Sequence, residues 1–171
     1  YPNHQRARYL HCVALHKLKR FEECLDSAKI MANAAPESPK ALEILSQAYF
    51  ENGENHAALM AGKQLLSLEP GSRFAKEVVA GANYRLGQFE QSMKFNEEIL
   101  RAHPQNLMAL QNLGVSLERM RRLDEAIAAY DKALAVQPND SSVKFNKSIS
   151  LLLKGELREG LRLYENRLDP E

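Results

Sequence analysis

The sequence predicts an all-α chain, a solenoid of five stacked helix-turn-helix repeats of about 34 residues each. Three observations lead there. Five of the seven prolines, Pro2, Pro36, Pro70, Pro104 and Pro138, are evenly spaced, and a fixed period of about 20–50 residues marks a stacked array. The smallest side chains keep the same period. Composition agrees: Ala, Leu, Glu, Lys and Arg are abundant, and only 8 of 171 residues are glycine, which suits helices rather than sheets. The apolar fraction, 44%, is too high for a disordered chain.

The period divides the chain into blocks 5–38, 39–72, 73–106, 107–140 and 141–171. Residues 1–4 read as the close of a preceding repeat, and the last block stops short of a full period, so both ends look cut. In block one, Cys12 and Cys24 fall where two helices must approach closely, and Ala14 follows the first of them. Block two puts Ser46, Ala48 and Ala58 at those places, and block three Ala80, Ala82 and Ser92. Block four has Gly114, Ser116 and Ala126; block five has Ser148, Ser150 and Gly160. Large apolar residues fill other columns: Leu25, Leu59, Met93, Ile127 and Leu161, then Leu66, Leu100, Leu134 and Leu168. Their steps of three and four are helical. Between the two stretches of each block, Gly53, Gly87 and Gly155 mark a tight turn, which Lys19 and Arg121 occupy in the other two. The recurrent proline closes each second helix, because it cannot continue one.

Block four carries the most specific text: Asn112-Leu113-Gly114, Leu123-Asp124-Glu125-Ala126-Ile127, Tyr130, Ala133-Leu134 and Pro138-Asn139. This run resembles the tetratricopeptide-repeat family, whose period is the same, and the resemblance extends over essentially the whole chain. Blocks one and three depart from it. Arg8, Lys76, Asn83 and Asn96 replace residues that are usually apolar in the family. The resemblance implies a right-handed superhelix whose first helices line a concave surface, and a non-catalytic module that binds a partner peptide or helix there.

On that surface the exposed stripe of the first helices offers Gln47 and Phe50 in block two, and Phe74, Tyr84 and Arg85 in block three. Block four offers Met108, Gln111, Asn112 and Arg119, and block five Asn146. Glu43, Glu51, Glu77, Phe145 and Ile149 lie on the same stripes. Aromatic and Met side chains would anchor apolar groups, and amides and Arg would fix polar ones. Asn112 and Asn146 stand one period apart in a single column, where Leu10, Ile44 and Val78 stand in the other blocks. An amide both donates and accepts, so two stacked amides can hold a peptide backbone whatever its sequence. The pair is similar to the asparagine ladder of O-linked N-acetylglucosamine transferases. The Lys/Asn/Arg clamp of the family's chaperone-tail receptors is not found.

Two other roles stay open. The run Gly160-Leu161-Arg162-Leu163-Tyr164-Glu165-Asn166-Arg167-Leu168 resembles the last repeat before the catalytic region of some bacterial-type glycosyltransferases, so the chain would present substrate to a larger enzyme. Alternatively, Leu161 and Leu168 lack a following helix to cover them, which predicts a homodimer through the last repeat or burial by a downstream segment.

The remaining signals exclude more than they assign. A net charge of +1 gives no electrostatic case for nucleic acid or anionic membrane. The apolar runs are far below the roughly 20 residues that span a bilayer. Arg119, Arg121 and Arg122 are offset by Glu118, Asp124 and Glu125. His4, His11, His16, His56 and His103 have no metal-ligand spacing. There is no phosphate loop, nucleophile elbow or catalytic carboxylate pair, so no enzyme activity, metal or cofactor is expected. Cys12 and Cys24 read as small buried hydrophobes close enough for a bridge to be conceivable. They leave the compartment open, with a slight lean to the cytoplasm. Asn83 and Asn96 fall in core columns and are expected to pair with each other or with a buried water, since an unpaired buried amide costs about 1–3 kcal/mol. The alternative is a local shift of register that puts Tyr84 in the core.

Overall fold

The structure is a computed structural model that describes residues 2–165, with side chains from Gln5 onward. The described residues form ten helices and no strand. First helices are α1 (Pro2–Lys17), α3 (Pro39–Glu51), α5 (Arg73–Arg85), α7 (Leu107–Arg119) and α9 (Ser141–Lys154). Second helices are α2 (Phe21–Ala34), α4 (Asn55–Leu68), α6 (Phe89–Ala102), α8 (Leu123–Val136) and α10 (Leu157–Glu165). All five second helices start one period apart, as do α3, α5, α7 and α9. Helix α1 begins earlier than the period would place it, so residues 2–4, read from the sequence as the close of an earlier repeat, are helical. No described helix is long and apolar enough to cross a membrane.

Each turn between paired helices is made the same way. Gly53, Gly87 and Gly155 have φ of 77°, 74° and 92°, and Lys19 and Arg121 adopt 57° and 61° in the same column. For an L side chain this left-handed conformation costs about 1–2 kcal/mol. The turn is therefore imposed by the helix pair rather than by glycine. The recurrent prolines lie two residues past the second helices, which end at Ala34, Leu68, Ala102 and Val136.

First helices are capped on the same period. Ser72 Oγ accepts from Ala75 N at 3.3 Å, Asn106 Oδ1 from Ala109 N at 2.9 Å, and Asp140 Oδ1 from Val143 N at 2.9 Å. Ser38 holds the equivalent place before α3, whose first turn begins with Pro39. Each such cap satisfies an amide that the helix itself leaves free.

The chain divides into two compact units, Tyr1–Gly87 and Gln88–Glu171. In the first, α1 to α5 pack in sequence, and α1 also touches α3 and α3 touches α5. Among the described residues α2 and α4 do not touch. First helices thus crowd one side of the unit and second helices splay on the other. Cys12, Leu15, Leu25, Ala28, Met31 and Ala48 form its larger core cluster, and Leu42, Leu65 and Ala75 a smaller one. In the second unit α6 to α10 pack in sequence, α7 touches α9, and among the described residues α8 touches neither α6 nor α10. Leu110, Leu117, Ala129, Tyr130, Ala133 and Val143 make its core.

Two glycines of the small columns make tight contacts in the second unit. A Cβ on Gly114 would lie 2.4 Å from Tyr130 Cε1, and one on Gly160 2.8 Å from the Leu152 side chain. Cys12 and Cys24 are free, buried thiols, each 3.5–3.7 Å from the other's backbone carbonyl oxygen. Asn83 and Asn96 are buried, and each donates to the carbonyl four residues earlier in its own helix, Val79 O at 2.8 Å and Ser92 O at 2.9 Å. Tyr84 stays half-buried beside the fully buried Asn83, so the register is not shifted.

Candidate functional site

The crowding of first helices gives each unit an inner face. In the first unit it is built from α1, α3 and α5. Gln47 and Phe74 lie half-buried on it, lining a cavity of about 310 Å³ with Tyr9, Val13, Glu43 and Ile44. Cys24 also reaches its wall, where burial first, and then Cys12, push that thiol up to about 12. It is therefore a neutral wall group rather than a nucleophile.

The polar groups of this face are unevenly committed. Glu51 Oε1 accepts from Gln47 Nε2 at 2.5 Å and lies 3.5 Å from His16 Nε2. Glu77 lies 3.6 Å from Arg73. The Glu43 carboxylate has no hydrogen bond or ion pair among the described residues. Burial raises its pKa above the usual carboxylate value, Glu69 raises it further, and Lys40 opposes the shift.

Phe50 and Arg85 are joined to one another. The Arg85 guanidinium lies 3.7 Å from the centroid of the Phe50 ring and donates to Phe50 O. Gly81 makes room for that ring, since a Cβ there would fall 2.8 Å from it. Tyr84 is half-buried on the same helix.

In the second unit the inner face belongs to α7 and α9. Met108 is 59% exposed, Arg119 is exposed, and Gln111, Asn112 and Asn146 are half-buried. The side-chain amides of Asn112 and Asn146 make no hydrogen bond among the described residues. Phe145, exposed beside Asn146, meets the Tyr164 ring at 6.0 Å between centroids. Glu118 accepts from Ser150 Oγ at 2.6 Å, tying α7 to α9. Leu161 is 52% and Leu157 60% exposed, whereas Leu25 and Leu59, in the column of Leu161, are buried. Leu168 lies outside the described residues.

Sequence reasoning missed Tyr9 and Val13 as cavity walls. It marks Ile44 only as a break in the asparagine column, and Glu43 only as one of a stripe. The period carries the available signal: Tyr9 and Glu43 are the same place in successive blocks.

Residues 108–140 match the family model described as Tetratricopeptide repeat. No curated protein matches the sequence. Among solved structures, the chain is similar to "MamA 41-end from Desulfovibrio magneticus RS-1", at 17% identity and a TM-score of 0.86, over 96% of this chain and 93% of that one. It is also similar to TTC0263, a thermophilic TPR protein of Thermus thermophilus, at 22% identity and a TM-score of 0.78, over 96% and 90%. The stacked helix pairs have the tetratricopeptide-repeat fold.

Proposed function

We propose that this tetratricopeptide-repeat chain is a non-catalytic module that holds an extended segment of a partner protein along the inner faces of its first helices. One observation carries the reading. Asn112 and Asn146 stand one repeat apart on touching helices, half-buried, with both amides lacking a hydrogen-bond partner among the described residues. A polar side chain held part-way out of water without a partner is poised to take one from a ligand. Neighbouring first helices are spaced by about 10 Å, and an extended peptide rises about 3.3 Å per residue. The two amides would therefore meet backbone groups about three residues apart. Met108, Phe145 and Ile149 supply apolar contact on either side.

The test is an array of short peptides, followed by calorimetry of the tightest peptide with the parent chain and with Asn112→Ala/Asn146→Ala. Loss of the backbone hydrogen bonds, at about 0.5–1.5 kcal/mol each, predicts binding about fivefold to 150-fold weaker. Unchanged affinity removes the asparagines from the account.

A second reading is self-association through α10, favoured by the exposure of Leu157 and Leu161. Sedimentation of Leu157→Glu/Leu161→Glu tests it. The variant is expected to be monomeric at concentrations where the parent chain dimerises, and a monomeric parent chain ends the reading.

A further inference from the structure

We propose that the cavity on the inner face of the first unit is a specificity pocket for one basic side chain, arginine or lysine, of the bound segment. The proposal rests on the reading that the inner faces hold a protein segment, and adds what the first unit selects.

Size comes first. A cavity of about 310 Å³ is at the small end of ligand sites, which run from about 300 Å³ upward. A helix with side chains is about 10–12 Å across, so this space takes one or two side chains and not a helix. Four of its lining side chains are apolar or aromatic, Tyr9 and Val13 from α1, Ile44 from α3 and Phe74 from α5, and they share the wall with His16, Lys17, Glu43 and Gln47. The apolar four suit the methylene stem of a long side chain, which buries its stem while keeping its charge at a polar group.

The charge is decided by which charged group of the wall is drawn out of water without a direct bond. On α1, His16 faces Glu51, and Lys17 lines the cavity but is exposed to water. Lys40 on α3 lies 5.6 Å from the centroid of the Tyr9 ring. Gln47 and Glu51 are bonded to each other. The Glu43 carboxylate is half-buried in the wall and has neither hydrogen bond nor ion pair among the described residues. A guanidinium or ammonium entering beside Tyr9 and Phe74 would meet both the carboxylate and the faces of two rings. An acidic side chain would meet Glu43 and lose its hydration for no gain.

The ¹⁵N-labelled chain is titrated with blocked tripeptides carrying arginine, glutamine or glutamate between two leucines, and amide shifts are read on α1, α3 and α5. The arginine peptide is expected to bind about fivefold tighter than the glutamine one, a half-exposed charge pair being weaker than a buried one. The glutamate peptide binds weakest. Glu43→Gln brings the arginine and glutamine peptides level, and Glu43→Lys reverses the order of arginine and glutamate. Equal binding of all three peptides to these helices overturns the charge selection while leaving segment binding in place. Shifts confined to α7 and α9, or no shift at all, overturn the pocket. If the longer array peptides also fail to bind either unit, the reading it rests on falls with it.

Discussion

Replacing Gly114 with alanine tests the packing of the second unit at its tightest point. The added Cβ would sit 2.4, 2.7 and 2.8 Å from Cε1, Cζ and Cδ1 of Tyr130. Carbon atoms in contact are normally about 3.5–4.0 Å apart, so the ring would have to withdraw by about 1 Å. Tyr130 is 0% exposed, and its neighbours Leu110, Leu117, Ala126 and Val143 belong to the same core. Overpacking of this kind costs about 1–3 kcal/mol. Alanine is better than glycine in a helix by about 1 kcal/mol, which leaves a net loss of about 0–2 kcal/mol. Urea unfolding should show the midpoint falling with little change in slope. In Gly114→Ala/Tyr130→Leu the ring is gone, and the coupling between the two sites should recover about 1–3 kcal/mol relative to the sum of the single changes. A Gly114→Ala chain more stable than the parent, or additive single and double changes, would refute the clash with the Tyr130 ring.

Arg121→Gly should stabilise the chain by about 0.5–1 kcal/mol, because glycine relieves the left-handed strain at φ 61° while giving back part of the gain as unfolded-state entropy. Thermal unfolding reads this directly, and a lower melting temperature would contradict it. Neither cysteine should react with a thiol reagent at pH 8 in the native chain, and both should titrate once it is unfolded without reductant. Native reactivity, or fewer than two thiols on unfolding, would contradict the buried, unbridged pair. The Cys24 thiol, pushed up to about 12 chiefly by burial, also gives a pH dependence. A free thiol in the unfolded chain ionises near pH 8.5, so its contribution to stability is complete below that pH and is lost as pH rises toward 12. In Cys24→Ala that alkaline loss should shrink.

The backbone of the fold is the most legible part, because the repeat forces the same geometry at the same place in every block. The turn column is the clearest instance. Lys19 and Arg121 break its glycine pattern and still adopt φ near 60°. The cap column at Ser72, Asn106 and Asp140 keeps the same period, but its changing residue types make it far less conspicuous than the invariant prolines two residues earlier. The inner faces are less legible, since a side chain's role there depends on its partners. Phe50 and Arg85 look like two separate anchors in sequence. They are one stacked pair in the structure, made possible by the missing Cβ of Gly81. Glu43 and Glu51 are alike on paper, and only the rotamers of His16 and Gln47 make one engaged and the other alone. The period places Asn83 and Asn96 in the core, where both lie, while the partner of each donor is its own helix rather than the other amide.

The central claim is that the inner faces of the first helices receive a protein segment. Amide shift mapping of the ¹⁵N-labelled chain with the tightest array peptide tests it most directly. The account predicts that the largest shifts fall on α7 and α9 around Asn112 and Asn146, with little change on α8. Shifts concentrated on the outward side of α8, with α7 and α9 unmoved, would contradict it.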